Sequence, residues 1–187
     1  MISCFYAAMD KLALEGDKGS DKPVFARKFR EIYPGQIFEI YLQQIKKYVY
    51  GVIVAGDRRI NKKDDIKIAY IESFTEQPVN LQEIIKDIEI KNFLFIANSG
   101  ISSILNHSWK YVGSYSKPIM EMEELSKVEY VIEFMDNFYR SVGNILLPIY
   151  DCEKISEEEY KNIPNPLGLV GDIAIQDYII DSASNRL

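Results

Sequence analysis

The residues that could do chemistry in this chain are few, and their spacing does not favour catalysis. The single histidine, His107, precedes Ser108. A catalytic triad requires side chains that converge in space, which adjacency along the chain does not supply. The two cysteines, Cys4 and Cys152, lie far apart and lack the spacing of metal ligands or of a disulfide framework. We therefore interpret His107 as a surface or capping residue.

The acidic clusters favour a surface role over acid–base or metal chemistry. Asp64 and Asp65 follow two lysines, which is typical of a solvated loop, and residues 121–124 and 157–159 are typical of solvent-facing helix ends. Residues 54–58 contain a glycine, but the segment lacks the residue spacing and the lysine of a phosphate-binding loop. Exposed carboxylates beside aromatic side chains can pair with arginine or lysine on a partner. We predict a protein that is not an enzyme and holds no metal or cofactor.

Composition limits the class of partner. The 187 residues are 47% hydrophobic with a net charge of −6, which predicts one acidic globular domain. Nucleic acid is disfavoured because phosphate binding needs concentrated lysine and arginine, whereas a basic protein is a compatible partner. No stretch approaches the roughly 18 apolar residues of a membrane span, and the first ten residues lack the basic leader of a signal peptide. With only two cysteines, these features predict a cytoplasmic protein without membrane contact.

Two strands joined by a polar loop are predicted between Pro34 and Asp57. In residues 36–42, alternation places two sets of side chains on opposite faces, Phe38, Ile40 and Leu42 against Ile37, Glu39 and Tyr41. Residues 48–55 alternate in the same way. Gly51 inside this second strand indicates a bulge, a bend or a close backbone approach. A bent strand suits a small barrel, and an ordinary hairpin in an open sheet is the alternative.

Further elements follow from local patterns. A short helix is predicted in residues 1–15, then a polar loop to Pro23, and a third strand in residues 66–74. Asn80 and Glu83 have the spacing of a helix N-terminus. An apolar run at 93–96 predicts a buried strand. A strand is also predicted with one face made of Trp109, Tyr111 and Gly113.

The C-terminal third allows more than one interpretation. Residues 120–140 fit a helix followed by a strand or one long helix, and residues 144–150 form another apolar run. Ser156 begins a short helix that the prolines at 164 and 166 end. The last predicted element is an amphipathic helix in residues 172–182, whose apolar positions are Ile173, Ile175, Tyr178 and Ile179.

The thirteen tyrosines suggest where a partner could bind. Tyrosine has an apolar ring and a polar tip, and it is enriched at interfaces as well as in half-buried sheets. Core packing explains most of them, and periodicity does not reveal which sheet face is outward. We predict a partner-binding set of aromatic and acidic residues, namely Glu39, Tyr41, Tyr48, Asp57, Asp64, Asp65, Tyr70 and Glu72.

The order of these motifs resembles the immunity protein 26 family of bacterial polymorphic toxin systems. The resemblance covers residues 30–120, and the matching positions are Pro34, Gly35, Phe38, Ile40, Leu42, Tyr50, Gly51, Val52, Trp109 and Gly113. It implies a β-rich, SH3-like barrel and a non-enzymatic protein that binds and neutralises a cognate toxin made by the same or a neighbouring cell. It implies no catalytic residues.

The predicted fold is therefore α+β and mainly β, either an SH3-like small barrel or a strongly bent antiparallel sheet with a few peripheral helices. We predict a single domain over residues 1–187, with a β-rich core at 30–120 and appended segments at 1–29 and 121–187. Two other functions remain open. One is a small-molecule or peptide-binding barrel unrelated to toxins, and the other is a hydrolase that uses His107 and nearby carboxylates.

Overall fold

The computed structural model describes residues 31–59 and 65–184, and in this part the chain forms two sheets and five α-helices. The strands of the larger sheet are β1 (Gln36–Leu42), β2 (Lys47–Ala55), β3 (Lys67–Ile71), β4 (Phe93–Ser99), β5 (Lys110–Ser114) and β9 (Leu169–Val170). The smaller sheet contains β6 (Glu129–Phe134), β7 (Asn137–Val142) and β8 (Glu153–Ile155). The helices are α1 (Leu81–Glu89), α2 (Ser102–Leu105), α3 (Met122–Leu125), α4 (Glu157–Asn162) and α5 (Asp172–Ser184). The predicted opening helix, the loop after it and Asp64 lie outside the described residues.

The larger sheet has the strand order β5-β1-β2-β3-β4-β9, and its pairs are antiparallel except for β4 with β9. Within residues 31–59 and 65–184, no pairing joins the edge strand β5 to the edge strand β9. The α+β prediction is confirmed. The described sheet is open rather than closed into a barrel.

Both faces of the larger sheet are buried. One face carries Phe38 and Ile40 into one apolar cluster, and the other carries Ile37 and Tyr50 into a second cluster, as the predicted alternation requires. A Cβ on Gly51 would lie 3.0 Å from the Ile68 side chain. The close neighbours of this glycine are the side chains of Ile68 and Tyr70, rather than the backbone that was one of the three predicted reasons for it.

Strand β5 does not alternate as predicted. Its register with β1 shifts between Ile37 and Phe38, so that Ile37 pairs with Gly113 and Phe38 pairs with Tyr111. Tyr111 packs on the first cluster, whereas a Cβ on Gly113 would point at Leu81, which packs on the second. The prediction that Tyr111 and Gly113 share a face is wrong, because the bulge reverses the alternation.

The predicted helix signals correspond to real helix ends. Asn80 is the N-cap of α1, and its side chain accepts a hydrogen bond from the Glu83 N–H at 3.1 Å. Ser156 and Glu159 form a reciprocal capping box at the start of α4. Residues 120–140 fold as a short helix followed by β6 and most of β7, so the helix-then-strand interpretation is right about the first strand and misses the second. Among the described residues, no helix is long and apolar enough to cross a membrane.

Residues 121–184 contribute to the core and are not an appendage. Helix α5 packs on β4 and buries Ile175 and Ile179 completely in the first cluster. Ile173, predicted on the same apolar stripe, is 81% exposed and points away from it. Tyr130 and Ile145 belong to the second cluster. The predicted boundary at residue 120 is therefore not a boundary of the core.

Candidate partner-binding groove

The smaller sheet has one apolar face that only partly meets the core. Residues opposite one another in an antiparallel pair point to the same side. Tyr130 with Ser141, and Ile132 with Tyr139, therefore share a face, and Phe134 continues it toward the β6–β7 turn. Tyr130 is fully buried in the second cluster, whereas Phe134 is 43% exposed. The inner end of this face is covered and the outer end is open.

The opposite face of the smaller sheet is covered by α4 and by an ion-pair network. The rings of Phe138 and Tyr160 pack 4.8 Å apart. Arg140 contacts Glu153 at 2.7 Å and Glu129 at 3.1 Å. The hydrogen bond to Glu153 is the main cause that raises the pKa of the Arg140 guanidinium. This face is thus satisfied within the chain.

Residues 144–151 form a wall beside the open end of the apolar face. The Asn144 carbonyl accepts a hydrogen bond from the Ser141 hydroxyl at 2.6 Å, and its side chain accepts one from the Leu146 N–H at 3.0 Å. The Gly168 N–H donates to the Ile145 carbonyl at 2.7 Å. A turn of 3₁₀ helix over Ile149–Asp151 ends the segment. These bonds fix a run of apolar side chains opposite the sheet.

Between the wall and the sheet lies a groove of about 650 Å³, which we call the β6–β7 groove. It is lined by Ile132, Phe134 and Tyr139 of the sheet, by residues 146–150, and by Leu167 and Gly168. At its margin Leu146 is 43% exposed and Tyr150 is 88% exposed. Exposed apolar patches that include aromatic side chains mark interaction sites, because a soluble chain gains nothing from leaving them in water.

The surroundings of the groove are acidic. Residues 121–171 contain eleven acidic and four basic residues, so they account for the negative charge of the chain. Asp136 in the β6–β7 turn and Asp151 beside Tyr150 are exposed and form no ion pair with the described residues. The exposed Glu133 pairs with Phe138 and therefore lies on the opposite face. The groove therefore combines an apolar floor with carboxylates that have no cationic partner in the described part of the chain.

The Cys152 thiol lies beside the wall of this groove, but its surroundings do not activate it as a nucleophile. The half-buried Cys152 thiol lies 3.3 Å from the Pro148 carbonyl, and burial, reinforced by Asp151, raises its pKa and disfavours the thiolate. The Ser108 hydroxyl donates to the Asn106 side chain at 2.7 Å. Within the described ranges, no group of three or more His, Cys, Asp and Glu side chains could hold a metal ion.

Part of the predicted binding set meets at one end of the larger sheet. Tyr41 pairs with Tyr48, with ring centroids 4.9 Å apart, and Tyr41 is 46% exposed. Glu39 lies on the same face, but it is only 8% exposed. Its carboxylate accepts hydrogen bonds from the Tyr50 hydroxyl and the Lys110 amine, each at 3.4 Å.

The other predicted residues do not join this group. Tyr70 is fully buried and its hydroxyl lies 2.6 Å from the Ser99 hydroxyl, so it offers no surface to a partner, and its burial raises its pKa. This corrects its place in the predicted set. Asp57 pairs with Arg59 at 2.7 Å. Asp57 and the exposed Asp65 lie beyond the far ends of β2 and β3, and the half-buried Glu72 follows β3 at the other end.

The sequence analysis did not identify the groove. It predicted a strand through Tyr130, Ile132 and Phe134, but an apolar strand face has the same pattern whether the face is covered or open. The available signal was composition. Acidic residues recur between apolar ones from Glu121 to Glu159, and Tyr150, the most exposed aromatic residue among those the structure describes, is followed directly by Asp151.

Comparisons with protein-family models, with curated proteins and with solved structures found no match. The fold and the site therefore define only a class, an α+β protein with an open apolar groove in acidic surroundings. The resemblance to the immunity protein 26 family depends on the strand motifs of residues 30–120 alone.

Proposed function

We propose that this protein is an immunity protein that binds a cognate bacterial toxin in the cytoplasm and neutralises it by occlusion, without catalysis. The observation that carries the proposal is the β6–β7 groove, an open apolar surface beside unpaired carboxylates. The class of partner, a toxin, comes from the resemblance of the strand motifs.

The physical argument is that this surface suits a protein partner. Burying exposed apolar area drives association, and aromatic residues such as Tyr150 and Tyr139 are frequent at the centre of interfaces. Acidic surroundings orient a basic partner during encounter and reject an acidic one. An inhibitor that acts by occlusion needs an apolar surface for affinity and a charge pattern that makes it specific for its partner.

The SH3-like fold that the resemblance implies is the finer part of this proposal, and the larger sheet, which is open in the described residues, would be its scaffold. The matching residues lie in β1, β2 and β5 and in the residues beside them, and most are buried. In this proposal the larger sheet is the scaffold common to the family, and the smaller sheet, outside the range of the resemblance, selects the toxin.

The test is co-expression with the toxin domain encoded by the neighbouring gene. We expect the full chain to restore growth of cells that express the toxin domain, and the purified proteins to form a complex in gel filtration. A chain with Ile179→Ala, which weakens the fold, is the control for dependence on the folded state. Failure to rescue growth from the toxin of any neighbouring gene would contradict the proposal.

A second candidate function is a small-molecule-binding module. The volume of about 650 Å³ falls within the range of roughly 300–1,000 Å³ typical of ligand sites. Thermal-shift screening of the purified chain measures this directly, because a ligand that binds the folded state raises its melting temperature. A reproducible small-molecule hit that Tyr150→Ser abolishes, without any protein partner, would favour this function.

A further inference from the structure

We infer that the β6–β7 groove accepts a cationic segment of a partner protein that carries a large apolar anchor residue, with the anchor in the groove and the cations on the carboxylates around it. The inference deepens the proposed function, since it rests on the partner being a protein. It goes further by naming the chemistry of the segment that binds.

The apolar half of the inference follows from the lining of the groove. Its lining includes the buried Leu167, the half-buried Ile132, Tyr139 and Leu147, and the exposed Tyr150. Of these, Tyr150 is 88% exposed, so an incoming side chain can bury much of its ring. An aromatic or long aliphatic anchor gains the most here, because the free energy of association grows with the apolar area removed from water.

The prediction that the segment is cationic follows from which carboxylates of the protein already have an ion-pair partner. On the covered face, Glu129 and Glu153 share Arg140. In contrast, Asp136 lies in the turn after Phe134, Asp151 follows Tyr150, and neither has an ion pair with a described residue. A purely apolar segment would leave these charges near a dehydrated groove, whereas lysine or arginine would compensate them.

A second copy of the chain is a poorer occupant. Two copies that meet at this surface would bring Asp136 and Asp151 of both copies together, in a segment that contains eleven acidic and only four basic residues. Like charges repel across an interface, and the penalty grows as water is excluded. A basic partner has the opposite effect, so charge complementarity selects it.

The probe is a fluorescein-labelled peptide in which lysines alternate with leucines around one central tryptophan, titrated into the full chain and followed by fluorescence anisotropy. Two control peptides keep either the apolar residues with glutamate in place of lysine, or the lysines with serine in place of leucine and tryptophan. We expect the probe to bind at least about tenfold more tightly than either control, and binding to weaken as salt is added.

Matched variants of the protein locate the site. Tyr150→Ser should weaken binding of the probe by about tenfold, whereas Ile173→Ser, which removes an equally exposed apolar side chain from α5, should leave it unchanged. The pair D136N and D151N should weaken binding and flatten its salt dependence. The pair D65N and D181N changes the net charge equally at exposed positions that lie more than two residues from any lining residue along the chain, and should have little effect.

Three results would overturn the inference. The first is that the groove variants and their controls lose binding equally, and the second is that the protein binds the probe and the glutamate peptide with equal affinity. The third is that the chain self-associates in sedimentation experiments and that Tyr150→Ser abolishes this self-association. The last would assign the groove to a second copy. If a toxin is neutralised equally well by Tyr150→Ser, the inference fails while the proposed function stands. If the probe binds the groove but no toxin is neutralised, the proposed function fails alone.

Discussion

The two sheets of this protein differ in how far their apolar faces are buried. The larger sheet buries both faces, one under α5 and the other against α1 and the smaller sheet, so that Ile37, Ile40 and Ile53 are all fully buried. The smaller sheet covers one face with α4 and leaves the outer end of the other open. Phe134 of this sheet and Leu146 of the wall beside it are each 43% exposed.

Under the proposed function, this difference separates the residues that stabilise the fold from those that bind the partner. Side chains that are buried on both faces fix the fold and have nothing left to offer a partner, which is the case for Tyr70. Side chains at the open end contribute less to folding because part of their surface stays in water. The free energy of burying that surface is available to a binding partner instead.

The largest expected effect tests whether the C-terminal helix belongs to the covered region. Ile179→Ala removes a fully buried side chain and should lower the free energy of unfolding by about 2–5 kcal/mol. Ile173→Ala on the same helix, at an 81% exposed position, should change it by no more than about 0.5 kcal/mol. Urea unfolding followed by circular dichroism measures both, and equal values would place α5 outside the core.

The next largest effect tests the bulge in β5. A Cβ on Gly113 would lie 2.7 Å from the Leu81 side chain, so Gly113→Ala should cost about 1–3 kcal/mol through overpacking. In the double variant with Leu81→Ala, the cost of the glycine substitution should largely disappear. Gly171→Ala, where a Cβ would meet open space, is the control. Strict additivity of the two substitutions would contradict the reversed alternation.

A smaller effect is expected where the two sheets meet. The Tyr130 hydroxyl is buried without a hydrogen-bond partner in the described structure. Tyr130→Phe should therefore stabilise the protein by about 1 kcal/mol at neutral pH.

The pH dependence of Tyr130 gives a second measurement. Burial raises the pKa of Tyr130 to about 12. The folded state thus holds the hydroxyl proton more tightly than the unfolded state. The contribution of this group to the free energy of unfolding is therefore complete below the ordinary tyrosine pKa of about 10, and it is lost as the pH rises toward 12. The phenylalanine variant should lose less stability over this range in urea titrations, and an identical alkaline slope would show that Tyr130 does not contribute.

The smallest effect on stability is expected in the groove. Tyr150→Ser replaces a side chain that is 88% exposed, so the free energy of unfolding should change by no more than about 0.5 kcal/mol. A loss above about 2 kcal/mol would mean that the open face is structural and would remove the contrast between the two sheets.

The sequence predicted much of the larger sheet and little of the site. Alternation in β1 and β2 and the cap at Asn80 are local signals, and the structure confirms them. The face of Gly113 was predicted wrongly, because a bulge depends on register with a neighbouring strand. The predicted site residues were chosen because they are acidic or aromatic. The strand pairing places Asp57 and Asp65 at the opposite end of the larger sheet from Tyr41 and Tyr48.

By itself, the sequence determined the α+β class, the helix caps and the acidic character, because each depends on residues within a few positions of one another or on composition alone. Tertiary structure decided which apolar surfaces are covered. Helix α5 reaches back to cover β4, whereas residues 144–151 stand beside β6 and β7 without closing over them. Whether an apolar face becomes core or groove depends on whether elements distant in the chain pack against it. The local sequence pattern of the strand does not determine that packing.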